Sequence, residues 1–441
     1  MLLSTKLLAV SNKYYLKHRN FILFAMALLY GYLLYEIIFT CQPSGRDFNT
    51  FYASFENVYM GLSPYKYFTL NLPIFIWSFK WLHYMELPHA LFLWSVLSVI
   101  QYVIYLRICF ALLPLSKSDS KIVTDLGIGL FFISYPVLFG FILGQITALI
   151  CLLTISGFYL YKKNYNFLCG AIWGYLAAIK LFPLLLLFFV ISCKRYKACA
   201  YLLLFFLLFT FLPLIEFPFS YYVDYFFMVK KVTWFHHSWN LSIFGILYKL
   251  YWLNGGLAFY FELLKYCSII LCSIVLAFYI TNIMIVMPTS QENYKFSLTI
   301  IFMILLSPLG WLYYLPLAVF PLLITWSTVN IKKPHHFYYW LLSYLLILYP
   351  MPNISNSITV GSSTKVLLLC FFNTIGMGLL GWLTIQLAKK NSQLEVQTFP
   401  VLTDKYFRVF SSVILLGLLI SIYGMAKFYP LFLFKYSVTA P

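Results

Sequence analysis

Runs of about twenty apolar residues, separated by short basic or turn-forming stretches, recur from one end of the chain to the other. That is the length an α-helix needs to cross roughly 30 Å of hydrocarbon. Phe21–Thr40, Pro88–Arg107, Ile122–Phe141, Ile146–Tyr161, Ala200–Phe217, Leu257–Met287, Phe337–Tyr349, Val366–Ala388 and Val409–Phe428 read as such helices. Pro73–Met85 is aromatic but too short to span, so it is expected to lie along the interface. Pro218–Asn254 is mixed and aromatic and is expected outside the membrane, partly as interfacial helices.

Two apolar stretches do not fit a simple crossing. Phe167–Ser192 has basic residues on both flanks, Lys162-Lys163 and Lys194, Arg195 and Lys197, so an even number of crossings is needed. At about 1.5 Å of rise per residue it is too short for two full spans. Lys180 and Pro183 interrupt it, which predicts a broken or re-entrant hairpin with Lys180 at its tip. Lys295–Val329 repeats the pattern, with its break at Ser307-Pro308-Leu309-Gly310-Trp311. Such breaks are tolerated at membrane depth only where the backbone faces protein or a watery cavity. The expected fold is all-α: a polytopic integral membrane protein of about 11–13 transmembrane helices, one domain over residues 1–441.

Composition sharpens this. Hydrophobic residues make up 63% of the 441 positions and charged residues only 10%, against about a quarter charged in soluble domains. Mean hydropathy is +0.87. The net charge of +18 comes from Lys and Arg clustered in short connections, which marks those connections as cytoplasmic. Charge therefore orients the chain, and no nucleic acid is expected as a partner. The N-terminus is placed in the cytoplasm, with outer segments at 41–87 and 218–256. Phe21–Thr40 lacks a small-residue cleavage site and is longer than a signal-peptide core, so it reads as a retained helix. The nine cysteines form no C-x-x-C pair and the seven histidines no H-E-x-x-H spacing. No disulfide framework, metal site or cofactor is expected.

Against this apolar background the acids stand out. Asp47, preceded by Arg46, follows directly on the first apolar run, where it can stay ionised and still reach a lipid-borne substrate. A carboxylate there can take a proton from a hydroxyl; the plain alternative is a solvated Arg–Asp pair of little consequence. Lys180 is an ionisable group inside an apolar run, which marks an anion site or pathway or else a lysine that snorkels to an interface. Gly144-Gln145, at a tight turn, offers an amide to a sugar or phosphate, or is only a turn. His236-His237-Ser238-Trp239-Asn240 and Ser307-Pro308 with Trp311 and Tyr313-Tyr314 set polar groups beside aromatics. Aromatic belts and helix kinks also produce such patterns without a ligand.

Taken in order, these pieces resemble the membrane-embedded GT-C glycosyltransferases of family 87, which include polyprenol-phosphate-mannose-dependent α-mannosyltransferases and related arabinofuranosyl transferases. The pattern starts with Asp47-Phe48 and Gly61-x-x-Pro64-Tyr65, then Gly144-Gln145. It continues with Gly170-x-x-x-Gly174 leading through Ala177-Ala178-Ile179-Lys180 to Pro183, Ser238-Trp239-Asn240 with Ser242, and Ser307-Pro308 with Trp311. The resemblance covers roughly residues 40–330. It implies a GT-C fold and an inverting transfer of a sugar, with mannose the one expected, from a polyprenyl-phosphate donor. The acceptor would be a lipid-linked or glycan hydroxyl at the outer face of a bacterial plasma membrane. Asp47 would be the general base, with Lys180 and Arg46 on the donor phosphate. Gln145, Asn240, His237, Trp311 and Tyr313 would line the sugar and acceptor. Where some members carry histidine after the Ser-Pro-x-x-Trp element, this chain has Tyr313 and Tyr314. A transporter or flippase of lipid-linked or anionic solutes is the alternative, as is a non-catalytic envelope assembly protein.

Overall fold

The computed structural model describes residues 45–67, 69–113, 131–132, 134–232, 234–253, 261–329, 334–349 and 371–391, with isolated positions 24, 28, 31–32, 35, 416–417 and 419. The expected helices Phe21–Thr40 and Val409–Phe428 lie outside the described residues apart from those isolated positions. So do Cys41, the basic stretches at Lys117–Lys121, Lys332-Lys333 and Lys405–Arg408, and the first part of Ile122–Phe141.

The protein is an all-helical, polytopic membrane protein. Its described α-helices are α1 Arg46–Tyr59, α2 Pro73–Phe79, α3 Leu87–Ala111, α4 Tyr135–Leu143, α5 Thr147–Lys162, α6 Asn166–Ile179, α7 Leu186–Ser192 and α8 Tyr196–Phe211. They continue as α9 Ser220–Lys230, α10 Ile243–Leu253, α11 Phe261–Thr281, α12 Glu292–Leu305, α13 Val319–Thr328, α14 Pro334–Leu348 and α15 Phe372–Asn391. Among the described residues Leu87–Ala111, Tyr196–Ile215 and Leu263–Val286 are long and apolar enough to cross a membrane, and several shorter apolar helices accompany them.

In the stretch 41–87, expected as an outer loop with an interfacial helix, the described residues are largely helical. Phe48, Phe51, Tyr52 and Phe55 recur at helical spacing and are buried along one face of α1. The helix ends where Gly61 turns left-handed (φ 72°), with Gly61 N–H on Val58 O and Leu62 N–H on Asn57 O, the paired bonds of a Schellman close. Pro73–Met85 folds as a short α-helix, Pro73–Phe79, followed by a 3₁₀ helix, Lys80–Tyr84. Ile74, Phe75, Ile76 and Leu82 are buried against protein, while Trp81 and Tyr84 are exposed. Rings of Phe51, Phe75, Phe79, Trp94 and Phe48 follow one another at 5.1–5.5 Å and wedge α1 and α2 onto α3.

Both broken segments double back. After α6 the backbone turns extended at Lys180 (φ −141°, ψ 132°), runs through a 3₁₀ turn at Phe182–Leu185, and returns as α7. The packing of α8 proves the return. Gly170 faces Leu202 and Gly174 faces Phe206, so α6 and α8 run parallel and the chain between them must come back. Lys180 is the apex, as its place in the sequence predicted. In the second case Phe320 of α13 lies 5.4 Å from Phe296 near the start of α12, so this stretch also retraces its path after the 306–311 break.

At the end away from Lys180, Glu292 receives Tyr161 Oη at 2.9 Å, Lys162 Nζ at 2.8 Å and Arg195 at 3.3 Å, tying α5, α8 and α12 together. Lys295, wholly buried, donates to Ser192 O at 2.9 Å at the carbonyl end of α7, where a cation suits the helix dipole.

In lipid, burying apolar surface gives helices little reason to associate, and close packing takes over. Gly157 leaves the room that Trp173 fills, and the indole N–H reaches Thr154 O at 3.1 Å. A Cβ on Gly174 would come within 2.7 Å of the Phe206 backbone nitrogen. Gly174→Leu should therefore push α8 off α6 at a cost of ~1–3 kcal/mol. The expected result is a thermal midpoint in detergent several degrees below wild type, while Leu168→Val, at an exposed position of α6, leaves it in place.

Candidate active site

Asp47 is fixed by two glycines. Gly45, just before α1, and Gly144, just after α4, both adopt left-handed backbone (φ 70° and 68°), a region that suits residues without a Cβ. They lie against each other: a Cβ on Gly144 would sit 3.4 Å from Gly45 Cα and 2.6 Å from Phe48 Cβ. Gly45 N–H donates to Ile142 O at 2.7 Å, and Trp94 Nε1 donates to Gly144 O at 3.0 Å. Asp47, two residues after Gly45, and Gln145, the residue after Gly144, are then brought together. The Gln145 amide nitrogen donates to Asp47 Oδ2, joining residues 98 positions apart.

Lys180 reaches the same place from the apex between α6 and α7. Its Nζ donates to Leu70 O at 3.0 Å, and Leu72 N–H to Ile179 O at 3.3 Å holds the two segments side by side. The third wall comes from 234–242 and the 306–318 break, paired through Leu241 N–H on Gly310 O (2.6 Å) and Leu312 N–H on Trp239 O (2.8 Å). His237 and Trp311 rings stand 6.3 Å apart on this wall, and Trp311 and Tyr313 6.2 Å.

Together these elements enclose a cavity of ≈ 370 Å³. Arg46, Asp47, Gln145, Lys180, His237, Trp311 and Tyr313 all line it. Asn240 does not. It is wholly buried behind the wall, with Nδ2 donating to Phe235 O and Pro308 O and Oδ1 accepting from Ser242 N–H and Gly310 N–H. Every hydrogen-bonding position of its amide is used on the backbone, so its role is to hold the helix break rather than to meet a ligand. Thr50, Phe51, Leu70, Leu143, Trp234 and Trp239 also line the cavity. Trp239 sits in a motif already conspicuous in the sequence; Trp234 and Leu70 carry no comparable signal.

A second, apolar cavity of ≈ 750 Å³ adjoins the first, with Leu70, Lys180 and Trp311 lining both. Its walls include Leu185, Tyr225, Ile269 and Leu276, and Ile269 is also exposed on the outer surface of α11. Nothing in the sequence pattern separates these side chains from ordinary packing residues.

Residues 68–308, more than half of the 441-residue chain, match the model of glycosyltransferase family 87. The chain belongs to glycosyltransferase family 87. No curated protein and no solved structure matches it. The matched stretch contains Gln145, Lys180, His237 and Asn240. Arg46, Asp47, Trp311 and Tyr313 lie beyond its ends, and the fold brings them to the same cavity.

The charges of this glycosyltransferase are unevenly placed. Asp47 opens partly on the cavity, but its carboxyl is enclosed, and burial raises its pKa above the ordinary carboxylate value. The Gln145 hydrogen bond, then the positive charges of Arg46 and Lys180, pull the other way. His237 is pushed down to about 4, by burial first and then by His236, Arg46 and Lys249. It is therefore a neutral imidazole near neutrality. Among the described residues no three His, Cys, Asp or Glu side chains group as metal ligands. His237→Gln should leave the shape of the pH–rate profile for glycosyl transfer unchanged between about pH 5 and 8, whatever it does to the rate, since His237 does not titrate in that window. An acid limb lost or moved in the variant would show that His237 ionises there after all.

Proposed function

We propose that this family 87 protein transfers a sugar, mannose in keeping with its resemblance, from a polyprenyl phosphate to a hydroxyl of a lipid-linked or glycan acceptor, with inversion at the anomeric carbon. The observation that carries this reading is the position of Lys180, at the junction of a polar cavity holding Asp47 and an apolar cavity with an exposed side. A donor with a long apolar tail, a phosphate and a sugar matches that order of environments. The tail takes the apolar cavity, entering past α11. The phosphate stops at the Lys180 ammonium, and the sugar enters the chamber with His237, Trp239, Trp311 and Tyr313.

The chemistry then needs one base and one cation. The acceptor hydroxyl oxygen attacks C1 of the sugar from the side opposite the phosphate, and a new C–O bond forms. The bond between C1 and the phosphate oxygen breaks, and its electron pair leaves with the polyprenyl phosphate. The hydroxyl proton passes to the Asp47 carboxylate. Negative charge grows on the phosphate as it departs, and a fixed ammonium in an enclosed site stabilises that charge more than water does. Arg46, at the rim of the polar chamber, adds positive potential on the same side. The basic clusters in the short connections support placing this site on the outer face of a bacterial plasma membrane.

The test uses the purified protein in lipid with labelled polyprenyl-phosphate mannose and a panel of glycan and glycolipid acceptors. Asp47→Asn should lose transfer by about 10²–10⁴-fold. Lys180→Ala should raise KM for the lipid donor by about tenfold or more and lower kcat as well, leaving KM for the acceptor nearly unchanged. Transfer that survives in Asp47→Asn would remove Asp47 from the mechanism. Movement of the labelled lipid across the bilayer without any transfer would favour a flippase.

A further inference from the structure

Gln145 lines the polar cavity, yet it is only 8% exposed and its amide nitrogen points at the Asp47 carboxylate. Its backbone has no freedom to turn elsewhere. Gln145 N–H is held by Gly140 O at 2.9 Å, and the preceding Gly144 is locked against Gly45 and Phe48 and under the Trp94 indole. The amide therefore arrives at Asp47 with its direction already set by two rigid turns.

We propose that Gln145 is the positioning residue of the general base: its amide holds one oxygen of the Asp47 carboxylate so that the other is presented to the acceptor hydroxyl. This rests on Asp47 being the base. A carboxylate at the start of a helix can rotate about its side-chain torsions, and a base must be aimed to within a fraction of an ångström. An amide suits the task because it donates a hydrogen bond and does not itself titrate, so it never competes for the transferred proton. The other groups around Asp47 are less able to aim it. Lys180 gives one of its three N–H donors to Leu70 O and acts on Asp47 through charge. Arg46 lies on the same helix, next in sequence, and acts on Asp47 through charge. His237 is on the far wall and neutral, and Tyr313 lines the polar cavity from the 312–318 turn while Tyr314 lines the apolar one.

Two variants in the intact protein test this. Gln145→Ala removes the donor. Gln145→Glu keeps the shape but replaces the donor with a second carboxylate. A hydrogen bond to the ionised form lowers a carboxyl pKa, so removing it moves the acid limb of the pH–rate profile to higher pH. For Gln145→Ala we expect the acid limb to move to higher pH, so that kcat falls about tenfold or more on the acid side and recovers on the alkaline side of the displaced limb, with donor KM changed less than about threefold. For Gln145→Glu, two carboxyls sharing a proton should move the limb further than in the alanine variant. A limb that stays at its wild-type position in both variants, with activity reduced equally at every pH, overturns the proposal and leaves Gln145 a structural residue. The same holds if donor KM rises while kcat is unchanged, which is the signature of a substrate contact. Asp47→Asn run alongside separates the two levels: if it keeps activity the base reading and this proposal both fail. If it loses activity while the Gln145 variants keep the wild-type limb, only the proposal for Gln145 fails.

Discussion

Gly45 and Gly144 meet almost backbone to backbone, each in a left-handed turn that leaves no room for a Cβ. The start of α1 and the turn between α4 and α5 are far apart in sequence, and this contact is what sets them at hydrogen-bonding distance. The aromatic wedge of Phe48, Trp94, Phe79 and Phe75 presses from one side, and the Gly45–Ile142 and Trp94–Gly144 hydrogen bonds fix the register from within. A slip of one residue along α1 would send Asp47 away from the cavity, since neighbouring positions on a helix point about 100° apart.

The remaining walls are made where helices fail to continue. A broken helix leaves backbone N–H and C=O groups without partners, which is costly in a medium that offers no hydrogen bonds. The protein meets that cost locally. At the 306–311 break Asn240 takes Pro308 O and Gly310 N–H and, with Leu241 and Leu312, stitches the break to the 234–242 segment. At the Lys180 apex, Leu72 N–H and the lysine itself satisfy and occupy the carbonyls of neighbouring chain. Irregular backbone gathers around one cavity because that is the place where polar backbone can face something other than lipid.

Much of this was legible in the chain. The length and flanking charge of Phe167–Ser192 excluded both one crossing and two, which forced the apex onto Lys180, and Ser307–Trp311 marked the second break in the same way. Asp47, Gln145 and Lys180 stood out because polar groups are rare in so apolar a sequence. The helix α1 was hidden: Gly45 and Gly61 at its ends look like loop signals, and its apolar face of Phe48, Phe51, Tyr52 and Phe55 is short beside the membrane runs. The role of Asn240 was also out of reach, because an asparagine that binds a sugar and one that binds a carbonyl carry the same side chain. The apolar cavity was the least readable of all. It is a gap between helices, lined by leucines, phenylalanines and an isoleucine that differ from core residues only in what they fail to touch.

The electrostatics of the chamber give the arrangement a direction. Burial favours the protonated form of Asp47, while Gln145, Arg46 and Lys180 favour the ionised form, so the carboxyl is held between opposing influences rather than committed to either. On the proposed reading, a donor phosphate beside Lys180 draws on the same positive charge that supports the Asp47 carboxylate. As the sugar–phosphate bond lengthens and the phosphate gains charge, the lysine is shared more heavily with the leaving group. The affinity of Asp47 for a proton then rises at the stage when the acceptor hydroxyl has to give one up. On that reading a single buried cation beside both base and leaving group couples the two ends of the reaction through charge, and the uncharged Gln145 amide keeps the carboxylate aimed.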